Sequence, residues 1–361
     1  MRIAIFSLIP WETLRQRPHA IAMELARMGH EVYYVEPFVF SRKLHLLARE
    51  VFKSARLRES PESNIHLLCS PYFWSYEKYA NYFFMNKVLS IRMIRLMRGL
   101  KIDFSIVLDP EYYLSMAGSG IPHAYDHVDD TQYMPGAPTE RYIASMNRIK
   151  KTTAFNTYIQ QIEAEKDAKG LFIPNGCYPE EFFPIDCEKK FDAVVIGSIA
   201  SWFDMESILE SRKQILIIGP MDIHGGTNLQ KFLKAGRKNI YYIPEISKSI
   251  ANLWVNSARV GLVPFKEDHP VVQYAMPVKI LEYFLCNLPV VTFKNKGIER
   301  QYGDMVTYYS STRGGLGLDD AIEAAMQHTN TFHYRQFASQ HSWPAIARQL
   351  EKRVLEAVGQ K

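Results

Sequence analysis

The chain is poor in the residues that hold small or secreted proteins together. Only four cysteines occur in 361 residues. Cys69, Cys177, Cys187 and Cys286 include no C-x-x-C pair and have no histidine cluster beside them. A disulfide scaffold and a zinc site are thereby excluded, and the thiols are expected to be reduced packing residues, as in a cytosol. No apolar run approaches the roughly 18–20 residues of a membrane-spanning helix. The opening MRIAIFSLIPWE runs straight into a strand-like stretch with no cleavage pattern, so a cytoplasmic location is expected. There is no G-x-G-x-x-G after the first strand, no Walker loop, no G-x-S-x-G elbow and no H-E-x-x-H. Nicotinamide, P-loop, elbow-hydrolase and zinc-hydrolase chemistries drop out with them. No metal-ligand spacing appears, so neither a metal nor a resident cofactor is expected. Helix-turn-helix, RNP-like and zinc-finger patterns are also missing, and nucleic acid is not an expected partner.

What is present is ordinary globular material, 47% hydrophobic and 22% charged. The length suits two domains of about 150–200 residues each. Charge is uneven. The whole chain carries +5, while residues 1–110 hold 16 Lys/Arg against 10 Asp/Glu, so the positive excess sits in the first third.

Short apolar runs alternate with helical-period segments, the pattern of parallel sheets with crossover helices. Strands are expected at 2–7, 31–36, 64–69, 104–108, 122–126 and 153–157. A helical stripe of Leu14, Ile21, Leu25 and Met28 ends at Gly29, where a helix terminus favours glycine. The stretch LFIPNGCYPEEFFPIDCEKK (171–190) is rich in proline and charge and reads as a linker. Strands restart at 191–196, 214–218, 239–243, 258–263 and 289–293, and 343–358 reads as a long amphipathic helix. The expected organisation is a domain over 1–172, a linker over 173–189, a second domain over 190–342 and a final helix over 343–361.

The densest chemistry lies in GLVPFKEDHPVVQYAMPVKILEYFLCNLPVVTF (261–293). A buried strand ends at Pro264 and opens into a polar loop that begins at Lys266. A helix is expected over about 277–286, with Asn287 as its terminus. Ligands of open α/β sheets bind at the carboxyl ends of strands, where helix N-termini point at them. Pro277 suits a first helical turn, because the N–H it lacks would be unpaired there. Backbone N–H groups from Val278 onward, with the Lys279 ammonium, would hold a diphosphate. Glu282, about one turn on, could accept two hydrogen bonds from a ribose diol. The plainer alternative is an i,i+3 surface pair of Lys279 with Glu282.

Across from that segment, Asp126, His127 and Asp129 follow the strand 122–126, at a carboxyl edge. A carboxylate or imidazole there could take a proton from an acceptor hydroxyl. Turn-capping is the other role open to such a cluster. Just after the first strand come Trp11, Arg15, Arg17 and His19. The two arginines and the histidine suit an anionic acceptor such as a lipid diphosphate or a uronic acid, or else are solvated charges at a helix start. Over 40–101, basic residues flank apolar helical faces (Leu44 to Ala55, then Arg92, Arg95, Arg98 and Lys101), with aromatics between them. That combination suits docking on an anionic bilayer, at about 1 kcal/mol per basic residue near the surface. Core faces with solvated arginines are the alternative.

The pattern P-x-K-x-x-E-Y-x-x-x-x-x-P-V-V of residues 277–291 resembles the donor-binding signature of GT-B glycosyltransferases, family 4 in particular. P-N-G followed by E-E-F-F-P (174–184) is similar to that family's interdomain segment. Gly197 and Ser198 sit where the family has a glycine-containing loop after the first strand of the second domain. More narrowly, RQRPHAIAMELARMGHEVYYVEP and YDHVDD resemble the teichuronic-acid-type transferases of bacterial cell-surface polysaccharides. The resemblance implies an α/β protein of two facing Rossmann-like domains with a cleft between them. It implies transfer of a sugar from a nucleotide-diphosphate sugar, by family habit a UDP-sugar, to a saccharide or lipid-linked acceptor. On that reading Gly197, Ser198, Pro264, Lys266, Pro277, Val278, Lys279 and Glu282 bind the donor. The enzyme would work in the cytoplasm, peripherally at the inner face of the membrane. Three departures stand out. The family's first glutamate of E-x7-E falls at Tyr274, its diphosphate-clamping Arg and Lys have no match, and its glycine-rich loop after the first strand is replaced by residues 7–11. A nucleotide-sugar epimerase or hydrolase of the same fold, or a non-catalytic nucleotide-sugar or glycan binder, are the competing readings.

Overall fold

The computed structural model describes residues 1–359 except 14, 38, 42–56, 61, 69–71, 75–90, 92, 111–115, 129–139, 222–234, 311–314 and 328–332. The basic helix expected over 42–56, Leu14, Cys69 and Asp129 lie outside the described residues. The chain divides into two compact units. Unit 1 comprises Met1–Pro174 with Trp343–Lys361, and unit 2 comprises Asn175–Ser342.

The first strands of unit 1 are β1 (Arg2–Phe6), β2 (Glu31–Val35), β3 (Val39–Ser41), β4 (Leu57–Glu59) and β5 (Ile65–Leu68). They are followed by β6 (Tyr72–Trp74), β7 (Phe104–Val107), β8 (His123–His127), β9 (Phe155–Tyr158) and β10 (Gly170–Phe172). Eight of these form one sheet in the order β10-β9-β8-β7-β1-β2-β5-β4, while β3 and β6 pair separately. All pairings in the large sheet are parallel except β4 with β5. A central parallel strand is covered on both faces, which is why β1 reads RIAIF and buries Ile3, Ala4, Ile5 and Phe6 completely. One face packs Phe6, Tyr33 and Val107 against Met93, Met97, Met146 and Ile149 from flanking helical segments. In the segment 93–99, Met93 and Met97 are buried while Arg95, Leu96 and Arg98 are exposed.

The helix Arg17–Arg27 starts later than the Leu14 stripe suggests, with Pro18 in its first turn. It packs against the final helix Trp343–Gly359, placing the last helix in unit 1. His30 Nε2 meets Glu351 Oε1 at 2.7 Å in that interface.

Unit 2 holds β11 (Phe191–Ile196), β12 (Ile215–Ile218), β13 (Ile240–Ile243), β14 (Ala258–Val263), β15 (Val290–Thr292) and β16 (Val306–Tyr308). They form an all-parallel sheet in the order β13-β12-β11-β14-β15-β16. The chain winds outward through β12 and β13, then returns to the other side of β11 with β14. The strand order therefore reverses between β11 and β14. In unit 1 the same reversal falls between β1 and β7. Such switch points leave a crevice at the carboxyl ends of the two strands, and they are where open α/β sheets bind ligands.

One contact braces the unit 2 switch point from below. The helix Lys279–Leu285 lays Tyr283 across β14, fully buried. Its hydroxyl accepts from the Ile196 N–H at 2.9 Å and donates to the Leu262 carbonyl at 3.2 Å, bridging β11 and β14. The ring fits only because residue 261 is glycine, since a Cβ there would stand 2.2 Å from Tyr283 Cγ. Gly261→Ala is therefore expected to lower the free energy of unfolding by about 1–3 kcal/mol through overpacking. Urea titration should show a lower midpoint with an unchanged slope.

Candidate functional site

Three of the donor-site residues expected from the sequence, Gly197, Lys279 and Glu282, lie together in unit 2. β11 ends in Gly197 and β12 in Gly219, both at positive φ, 135° and 143°. A Cβ at Gly219 would fall 2.1 Å from the Gly197 carbonyl oxygen, so the two strand ends can approach only as glycines. A Cβ at Gly197 would meet Lys279 Cε at 3.5 Å, which puts the lysine's stem directly over this turn. Ser198 beside it is exposed. Gly219 escaped the sequence reading, although an apolar strand closed by glycine (QILIIGP) was its signal.

Lys279 Nζ and Glu282 Oε2 pair at 2.8 Å. This is the expected i,i+3 pair, but it is not a surface pair. The Glu282 side chain is only 6% exposed against 34% for Lys279. A buried carboxylate needs a partner, and the pair is a half-buried anchor in which the lysine is the more exposed member. Cys286, in contact with Asn252 and Asn256, and Cys177 are buried nearby. Burial pushes the Cys286 thiol up to about 12, with the Glu282 charge adding to it, and Cys177 is raised for the same two reasons. Both are packing thiols.

The segment leading into that helix is clamped by two asparagines. Asn175 Nδ2 donates to the Met276 carbonyl at 3.0 Å, immediately before Pro277. Asn295 Nδ2 donates to the carbonyls of Val272 and Ala275, both at 2.9 Å, and its Oδ1 caps the helix Lys296–Tyr302 by accepting from Ile298 N–H. Asn295 was missed in the sequence, where an Asn before a short helix signals only a cap. Val278 has helical dihedrals and extends the helix start by one residue. Tyr274 closes the 3-10 turn Pro270–Gln273 and is buried. At the end of β14, Pro264 O accepts from Asp204 N–H at 2.8 Å, and Lys266 N–H donates to Trp202 O at 2.9 Å. The buried Tyr309 hydroxyl, 3.1 Å from both Asp204 Oδ2 and the Phe265 carbonyl, ties the same loop down.

In unit 1 the structure corrects two roles. Arg17 and Asp126, read from the sequence as acceptor ligand and catalytic base, are buried against each other. Arg17 Nε donates to Asp126 Oδ2 and its second nitrogen to Oδ1, both at 2.9 Å. The side chains are 3% and 1% exposed. Thr157 donates to Oδ1 at 2.6 Å, and the remaining Arg17 nitrogen donates to the Pro174 carbonyl at 2.8 Å. With both oxygens engaged and no access to solvent, Asp126 is a structural anchor, and Arg17 has no free face for a ligand. His127 is also buried, between Tyr125 and Tyr158 rings at 5.8 and 5.4 Å. Burial, helped by Lys150, pulls its imidazole down to about 3, far below what proton removal near neutrality requires.

Trp11, Arg15 and His19 come together after β1. His19 is buried; its Nδ1 accepts from Gln16 N–H at 3.1 Å and its Nε2 lies 3.2 Å from Pro10 O, which sets the Nε2–H tautomer. Its ring stacks on Tyr34 and tilts against Trp11. Arg15 is exposed and paired to Glu62 at 2.8 Å. Among the described residues no group of three or more His, Cys, Asp or Glu is placed to hold a metal, and no helix is long and apolar enough to cross a membrane.

Asp126→Ala strands a buried guanidinium and is expected to cost about 3–5 kcal/mol of folding free energy, read by chemical denaturation. A catalytic base would instead lose activity at unchanged stability. A second expectation concerns acid. Burial lowers the folded-state pKa of His19, His123 and His127, so the unfolded chain binds protons first as pH falls below about 6.5. Stability is then lost between about pH 6.5 and 3, with His127 contributing up to about 1.4 kcal/mol per pH unit. His127→Gln should flatten the stability-pH curve by that slope, whatever its effect at neutral pH.

No protein-family model matches the chain, and no curated protein sequence does. Solved structures do. Sucrose-phosphate synthase from Thermosynechococcus elongatus superposes with a TM-score of 0.74 over 100% of both chains, at 13% identity. A glycosyltransferase from Rickettsia africae gives 0.68 over 100% of this chain and 99% of its own, at 11% identity. HepE from Anabaena, solved with UDP and glucose, gives 0.66 over 99% and 100%, at 12% identity. The chain has the α/β fold of the GT-B glycosyltransferases across its whole length.

Proposed function

We propose that the chain is a glycosyltransferase that takes a nucleotide-diphosphate sugar in unit 2 and passes the sugar to an acceptor held by unit 1. One observation carries this reading. At the unit 2 switch point, a glycine turn, a partly exposed lysine whose stem lies over it and a buried glutamate paired with that lysine come together beside the crevice where open α/β sheets take ligands. In this reading Gly197 and Gly219 let a diphosphate approach the backbone, and the Lys279 ammonium neutralises charge that grows on the leaving group. Glu282 holds Lys279 in place and accepts from a ribose diol. By the sequence resemblance, Pro264, Lys266, Pro277, Val278 and Ser198 also contact the donor in this reading. HepE, which shares the fold, was solved with UDP and with UDP-glucose, and this supports a uridine carrier. Asp129 is the carboxylate left for proton removal once Asp126 and His127 are assigned to the core. A family 4-like chemistry of the teichuronic-acid type, a lipid-linked acceptor and work at the inner membrane face complete the proposal, resting on the sequence resemblance and the basic first third.

The test is a thermal-shift panel with UDP, GDP, TDP, ADP and CMP on the wild type and on Glu282→Gln. A ligand at a hundred times its Kd stabilises the folded state by about 2.7 kcal/mol. One nucleoside diphosphate should raise the midpoint, and the variant should lose most of that rise. No shift with any nucleotide overturns the transferase reading. A shift without turnover of UDP-sugars against any acceptor would favour the non-catalytic binder, to which the buried Tyr274 at the family's glutamate position points.

A further inference from the structure

A cavity of about 400 Å³ opens in unit 1 within the segment after β1, lined by Trp11, Glu12, Arg15, His19, Arg58 and Glu62 among others. Its volume lies in the range of small-ligand pockets. Its aromatic wall is set in advance. Trp11 packs edge-on against Tyr34 at 4.9 Å and against His19 at 5.2 Å, and its backbone N–H donates to Glu36 Oε1 at 3.1 Å. His19 is itself pinned on both nitrogens. The charges are balanced with equal care. Arg15 pairs with Glu62 at 2.8 Å, and Arg58 lies 3.3 Å from Glu36 and 3.6 Å from Glu12. Exposed pairs of this kind contribute about 0–1 kcal/mol to stability, so their consequence is electrostatic. Among the described residues two guanidiniums and two carboxylates line the cavity and Glu36 stands behind Arg58, so the described lining carries no positive surplus for an anion.

We propose that this cavity binds an uncharged saccharide seated against Trp11, so that the sugar unit of the acceptor that occupies it is neutral, with any uronate or lipid phosphate of the acceptor lying outside the cavity. The proposal rests on the glycosyltransferase reading for the word acceptor, but the binding itself does not. A sugar ring presents polarised C–H groups that suit the negative face of an indole. Its hydroxyls both donate and accept, matching a wall that offers carboxylates and guanidiniums together. An anion would have to displace Glu62 or Glu36 from its arginine. The anionic acceptor expected from Arg15, Arg17 and His19 in the sequence loses its ground here: Arg17 is sealed in the core, His19 is held neutral, and Arg15 is compensated.

Titration calorimetry on the full chain tests this with maltose, cellobiose and N,N′-diacetylchitobiose against methyl glucuronide and glucose 1-phosphate. At least one neutral disaccharide should bind at least tenfold more tightly than either anion. Trp11→Ala should weaken it tenfold or more, and Trp11→Phe, which keeps a ring and its packing, should recover most of the loss. Glu12→Gln with Glu62→Gln alters two side chains at the cavity rim, releases Arg15 from Glu62 and removes one of the two carboxylates beside Arg58, so the preference should move toward methyl glucuronide by about tenfold. Tighter binding of an anion by the wild type, no binding of any neutral sugar, or indifference to Trp11→Phe and Trp11→Ala alike would each overturn the proposal. Saccharide binding without any nucleotide shift would leave it standing and remove the transferase reading. The reverse pattern would remove this proposal alone.

Discussion

Unit 1 is organised around a buried ion pair. Arg17 opens the helix after β1, Asp126 sits in β8, Thr157 in β9, and the Pro174 carbonyl lies where the chain leaves the unit. The ion pair therefore ties four stretches of backbone together. Burying two charges is expensive, and hydrophobic residues of similar volume would often be as stable. What the pair supplies is geometry, since a bidentate arginine and carboxylate fit in one orientation only. The segment carrying Trp11 and Arg15 runs straight into that helix, so the cavity wall inherits its position from the pair beneath it.

Unit 2 solves the same problem with neutral groups. Tyr283 spans β11 and β14 from below with its hydroxyl, while Asn175 and Asn295 hold the strand-like approach to the helix from its sides. Charge stands beside the glycine turn in Lys279 and Glu282, and in Asp204, which the Tyr309 hydroxyl meets.

Much of this was legible in the sequence, and the limits have physical causes. Central strands such as RIAIF and FDAVVI announce themselves because both faces are buried, and the expected β1, β2, β5, β7 to β9 and β11 to β15 are all present. The three-residue edge strands β4, β10 and β16 were not foreseen, since a short strand with one covered neighbour carries no periodic signal. Gly197, Lys279 and Glu282 were found because they lie on one turn and one helix. Arg17 and Asp126 were both singled out, yet as separate actors. Their meeting is a contact across 109 positions, and nothing local in either segment encodes it. The depth of burial that turns Asp126 and His127 from chemistry to packing is likewise a property of the sheet, not of the tetrapeptide around them.

The path of the chain has one more consequence. Unit 2 occupies one continuous stretch, while unit 1 is begun at the first residue and finished only by the helix from Trp343 onward. During synthesis, the first 174 residues must wait for that helix, whose Glu351 meets His30 and whose apolar face covers the helix Arg17–Arg27. Unit 2 has all its strands earlier. The later domain in sequence is therefore the first whose strands and helices are all available, while the helix Arg17–Arg27 waits for its packing partner until the helix from Trp343 is made.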